Sequence, residues 1–145
     1  MDASRHVAHV ISAGEWLATL ERGTVTLGYA DRCRRRVRLV DDTGVPLLVD
    51  LVYPAHLSDG DGLVTTDGTI IRVIAKPEPL IEAIASDAQH LARLARHVRD
   101  QRAPVQVMDD RSLRIAPNAA LEQMLCSLGA ETRTVTAPFR PESGN

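Results

Sequence analysis

The most regular pattern in the chain is the apolar stripe Ala88, Leu91, Leu94, Ala95 and Val98, which recurs at helical spacing between Ser86 and Arg102. Polar and charged residues fill the positions between, so one face of this helix is committed to a core. Ser86 with Gln89 three residues on has the form of a capping box, and Pro104 disfavours helical geometry at Ala103, which predicts an end near Arg102. A second helix is predicted from about Asn118 to Leu128, where Leu121, Met124, Leu125 and Leu128 fall at i, i+3, i+4 and i+7 and Gly129 stands as a C-terminal cap. Around these helices the period changes to two. Leu80 to Ala85 alternates as a strand, Val105 to Met108 and Ser112 to Ile115 form a hairpin around Asp109-Asp110-Arg111, and the β-branched run Thr132 to Ala137 closes the set. The order is βαββαβ, that of a ferredoxin-like unit with four antiparallel strands and both helices on one face.

Upstream the pattern shows only short strands: Val7 to Ile11, Thr24 to Tyr29, Arg35 to Val40, Val45 to Val52, Leu63 to Thr65 and Ile70 to Ile74. Asp- and Gly-rich turns separate them, at 41–44, 58–62 and 66–68. The predicted fold class is therefore α+β, a small all-β N-terminal domain over residues 1–76 followed by a ferredoxin-like domain over 77–145. The boundary falls at Lys76-Pro77-Glu78-Pro79, where two prolines withdraw amide donors and stiffen the backbone.

Composition narrows the class. With 145 residues, 44% apolar and 25% charged, the chain is a globular protein rather than a disordered tail. No apolar run approaches the roughly 20 residues that span a bilayer, and the N-terminus lacks the basic flank and apolar core of a signal peptide. A cytoplasmic, membrane-free location is expected. Cys33 and Cys126 are far apart and in no CxxC pairing, so both thiols are expected to be reduced. The net charge of −2 argues against nucleic acid as a partner.

Few residues carry chemistry. His90 and His97 lie seven apart, about 10.5 Å of helical rise, so they cannot close on one ion and any metal held here needs a ligand from elsewhere. His6 and His9 are three apart in a predicted strand, which directs them to opposite faces. The run from Arg32 to Arg38 is read as a strand with Arg34, Arg36 and Arg38 on one face and Arg35 and Val37 on the other, either a solvated strip or a dock for an acidic protein surface or RNA, though it lacks interleaved aromatics for stacking. Cys33 within it is either a plain surface thiol or, among the arginines, a soft ligand or an oxidation site. There is no phosphate-cradling glycine loop, no HExxH and no nucleophile elbow, and the pairs Asp41-Asp42 and Asp109-Asp110 sit in turns, so no enzymatic activity is expected.

Several short stretches, in order and spacing, resemble the urease accessory protein UreE family. They are Asp31 to Leu39, Gly60-Asp61, Asp67-Gly68, Glu78-Pro79-Leu80, Pro104 to Val107, Leu113-Arg114-Ile115, Leu121 to Leu125 before Leu128-Gly129, and Ala137-Pro138-Phe139 with Pro141-Glu142. The resemblance implies a cytoplasmic homodimer that handles nickel, with zinc as the alternative ion, and that meets urease apoprotein and other urease accessory proteins. It places His97 at the first histidine of a His-Leu-Gly-Asn-Arg-His segment whose matching residues here are His97 to Arg102; in a two-fold dimer two His97 side chains are candidate metal ligands, the alternative being a solvated histidine beside the helix stripe. The segment's second histidine, the family's principal ligand, is Arg102 in this chain, and no histidine follows His97. Arginine stays protonated and offers no lone pair. The sequence thus leaves two readings, nickel delivery through His97 or a metal-independent adaptor in urease maturation.

Overall fold

Short strands with one buried face assemble the N-terminal half into a six-stranded sheet. The strands are β1 (Arg5–Ile11), β2 (Glu21–Leu27), β3 (Arg36–Val40), β4 (Pro46–Asp50), β5 (Gly62–Thr65) and β6 (Ile70–Ala75), in the order β2-β6-β5-β1-β4-β3. The computed structural model describes residues 5–52, 56–109 and 111–141. β1 runs parallel to β4 and β2 parallel to β6, while the remaining pairs are antiparallel. Val7, Val25, Leu47, Val49, Leu63, Ile71 and Val73 form the core of this unit. Among the described residues no helix is long and apolar enough to cross a membrane.

Two short helical pieces interrupt what was read as strands and turns alone. One is a 3₁₀ turn, Ala18–Leu20, and the other is helix α1, Tyr29–Arg32. Neither is long enough to show a period, which is why the residue pattern hid them. Tyr29 therefore belongs to α1 and not to the preceding strand, and β3 begins at Arg36, so Arg34 and Arg35 precede the strand and do not share its alternation. Asp41 organises the β3–β4 turn by accepting hydrogen bonds from the Thr43 and Val45 amides at 2.9 and 2.8 Å.

The second unit, which follows Lys76, contains β7 (Pro77–Ile84), α2 (Ala88–Asp100), β8 (Gln106–Val107), β9 (Ser112–Ile115), α3 (Ala119–Ser127) and β10 (Glu131–Pro138). Its sheet has the order β10-β7-β9-β8 and is antiparallel throughout, as expected for a ferredoxin-like unit. Leu91, Leu94, Ala95 and Val98 of α2 and Leu121 and Leu125 of α3 pack with Ile81, Ala83, Leu113 and Ile115 of the sheet. Each unit has its own core.

Two local expectations are corrected. The prolines at 77 and 79 lie inside β7 and not before it; among the described residues β9 pairs with Ile81 to Ile84 and this end of β7 has β10 alone as partner, where a strand accepts proline. The cap of α2 is Asp87, whose carboxylate accepts the His90 amide at 2.8 Å, so the capping box read from Ser86 and Gln89 does not form. The aspartate is one residue later, and the helix starts in its register.

Candidate functional site

The last turn of α2 carries the residues singled out for metal chemistry. Arg99 and Val98 close it: the Arg102 amide donates to the Arg99 carbonyl at 2.8 Å and the Ala103 amide to the Val98 carbonyl at 3.3 Å. These two bonds form a Schellman motif, which requires a left-handed residue between them. That residue is Arg102, at φ 58°, the sole non-glycine with positive φ among the described residues. Its side chain is exposed and lies beyond the helix, which ends at Asp100.

His97 is partly exposed, one residue before the fully buried Val98. A partly exposed imidazole can offer a nitrogen lone pair, which the Arg102 guanidinium cannot. Among the described residues no group of three or more His, Cys, Asp and Glu side chains gathers to hold an ion. An ion at His97 would take its remaining ligands from outside the chain.

His90 has a different task. It is 9% exposed, its Nδ1 accepts the Ser86 amide at 3.0 Å, and its Nε2 lies 2.8 Å from the Leu128 carbonyl oxygen. A carbonyl only accepts, so Nε2 carries the proton and Nδ1 is the acceptor. With both nitrogens engaged, His90 is a latch between the start of α2 and the end of α3 and not a ligand. His6 and His9 are both exposed on β1, which shifts register between Val7 and His9.

The arginine run is not one array. Arg36 and Arg38 are exposed on β3, at an edge of the sheet, whereas Arg35 donates to the Leu51 carbonyl at 3.3 Å and Arg34 stands 4.0 Å from Asp31. Arg32 is buried, with Nη1 donating to the Leu57 carbonyl at 3.2 Å and its guanidinium 5.5 Å from the centre of the Tyr29 ring. Cys33 is half-buried and has its Sγ 3.4 Å from Nδ1 of His56, a histidine that no local pattern singled out. Twenty-three residues separate the two, and nothing in the sequence predicts their meeting. Cys126 is exposed, 3.5 Å from the Thr132 hydroxyl.

The turn carboxylates are structural. Burial pushes the Asp41 carboxyl up, but hydrogen bonds from Val45 and Thr43 pull it further down and hold it below the usual carboxylate range. Asp109 accepts the Arg111 and Ser112 amides at 2.8 and 2.9 Å in the β8–β9 turn, while its neighbour Asp110 lies outside the described residues. Glu82, missed in the sequence, is 4% exposed in mid-β7 and receives Nε of Arg114 and Nε of Arg133, each at 2.9 Å. Strand register is the signal that finds it, because Arg114 of β9 and Arg133 of β10 both pair directly with Glu82.

Residues 5–76 match the family model of the UreE urease accessory protein N-terminal domain, and residues 78–145 that of its C-terminal domain. The chain belongs to the UreE family. Among its relatives, the urease accessory protein UreE of Rhodopseudomonas palustris (strain BisB18) is 42% identical over 121 residues, 83% of this chain and 57% of that protein. The UreE of Chelativorans sp. (strain BNC1) is 40% identical, covering 83% of this chain and 76% of that protein, and that of Ruegeria pomeroyi is 38% identical over 131 residues, 90% and 84% respectively. Relatives from Rhodopseudomonas and Bradyrhizobium strains are longer, and the chain spans 56 to 58% of their length.

Proposed function

We propose that this UreE family member takes part in urease maturation as a homodimer that carries nickel between its ferredoxin-like units. It would hand the ion on by docking to urease apoprotein and other accessory proteins, in the cytoplasm and without catalysis of its own. The observation that carries the reading is the match of both family models, in order, together with a partly exposed His97 in the last turn of α2. In a two-fold dimer each residue near the axis occurs twice, so two His97 side chains supply two imidazole nitrogens to one Ni²⁺. Arg102 adds a charge of the wrong sign and no lone pair, which makes for weaker binding than two further imidazoles would give.

Calorimetric titration of Ni²⁺ into the purified full chain, beside His97→Ala, tests this. One ion per two chains at micromolar affinity, abolished by the substitution, is the expected result. Binding indifferent to His97, or none, would overturn nickel carriage and leave the metal-independent adaptor.

A further inference from the structure

We propose that Cys33 and His56 form a cation site in the first unit, a thiolate–imidazole pair for a borderline-to-soft divalent ion of the Zn²⁺ class. The geometry is that of two adjacent corners of a coordination tetrahedron. With metal–sulfur near 2.3 Å and metal–nitrogen near 2.0–2.1 Å, the tetrahedral edge between the donors is about 3.5 Å. Sγ of Cys33 and Nδ1 of His56 stand 3.4 Å apart.

The neighbouring residues hold the pair in place. The Leu57 amide donates to the Arg32 carbonyl at 2.9 Å, and Nη1 of Arg32 returns to the Leu57 carbonyl at 3.2 Å. Leu57 is itself anchored in the core of the first unit, at 2% exposure. Residues 32–33 and 56–57 are therefore clasped side by side, and each clasped residue is followed or preceded by a donor. The Cys33 amide, bonded to the Ala30 carbonyl at 3.3 Å, fixes the thiol at the end of α1. Tyr29 on the same helix supports the sulfur. A hydrogen bond joins its phenol to the Cys33 side chain.

Access completes the site. Cys33 is half-buried and His56 exposed, so an ion reaches both donors from solvent and keeps two positions for water or for a ligand brought by a partner. Binding exchanges the thiol proton for the metal: the S–H bond breaks, a metal–sulfur bond forms, and one proton leaves to solvent. Neutral His56 binds through Nδ1 with its proton on Nε2.

The test is a titration of Co²⁺, a spectroscopic stand-in for Zn²⁺, into the full chain carrying His97→Ala and kept reduced by a phosphine. A sulfur-to-cobalt charge-transfer band in the near ultraviolet is expected, saturating at one ion per chain and displaced by Zn²⁺. It should persist in Cys126→Ser, vanish in Cys33→Ser and need at least tenfold more Co²⁺ in His56→Ala. No band, a band that survives Cys33→Ser, or an affinity in His56→Ala within tenfold of the parent would overturn the site. Because His97 is absent throughout, this outcome is independent of nickel carriage.

Discussion

At Arg102 the side chain and the backbone make opposite demands. The Schellman closure of α2 needs a left-handed residue, and an L-residue with a Cβ is strained there by about 1 kcal/mol or more. The same closure at the end of α3, with the Gly129 amide on Cys126 and the Ala130 amide on Leu125, uses glycine at φ 93°. Arg102→Gly is therefore expected to stabilise the second unit by about 0.5–1 kcal/mol, less than the full strain because glycine also frees the unfolded chain. Urea denaturation checks it; an unchanged or lower midpoint would mean that the guanidinium makes a compensating contact. Glu82 is the second residue whose surroundings decide its behaviour. Burial alone would push its carboxyl up, but hydrogen bonds and charge from Arg114 and Arg133 overcome this and leave it lowered. A lowered native value means stability that is present above the ordinary carboxylate range and lost as pH falls through that lowered value. Glu82→Gln should cost about 1–3 kcal/mol at neutral pH, the share from Arg133 being small because that side chain is 62% exposed. It should also flatten the acid limb of stability against pH, and an unaltered acid limb would show that other carboxylates set it.

Elements were legible where the period was long and hidden where it was short. The stripe of α2, the spacing of α3 and the βαββαβ order could be read directly, because three turns of helix repeat an apolar residue often enough to exclude a strand. Four-residue α1 repeats nothing, so the helix that presents Cys33 was invisible, and so was the partner that reaches it from 23 residues downstream. The start of α2 shows a subtler failure. Ser86 has the right chemistry for a cap, but Asp87 takes the position, and Ser86 instead gives its amide to His90. That exchange makes the helix start part of a longer connection: Asp87 holds the His90 amide, and the His90 ring holds the end of α3 through Leu128. Asp87→Ala is expected to cost about 1 kcal/mol, a cap's worth. His90→Ala should cost more, about 2–3 kcal/mol, since it empties a mostly buried site and frees two hydrogen-bonding groups. Amide exchange read residue by residue separates them: Asp87→Ala should loosen only the first turn of α2, whereas His90→Ala should loosen that turn and the end of α3 together. Loosening confined to α2 in His90→Ala would show that the ring contact carries no stability.

At the scale of the whole molecule, an ion shared between two chains couples metal binding to assembly. If one ion takes its ligands from two His97 side chains, metal binding and dimerisation are the same equilibrium seen from two sides, and each must strengthen the other by an equal factor. At a free Ni²⁺ concentration of about one hundred times its dissociation constant, linkage contributes roughly 2.7 kcal/mol to the dimer, which is about a hundredfold in its dissociation constant. Sedimentation velocity over a dilution series, with and without Ni²⁺, measures that shift. His97→Ala should leave metal-free dimerisation within about threefold of the parent and abolish the nickel effect, because the substitution removes a ligand and not an apolar contact. The thiolate–imidazole pair behaves in the opposite way. Cys33 and His56 belong to one chain, so Zn²⁺ bound there has no reason to prefer dimer over monomer, and its affinity should be flat across the same dilution series. A Zn²⁺ affinity that rises with protein concentration in the His97→Ala background would place the missing ligands on a second copy and make that site, too, an intermolecular one.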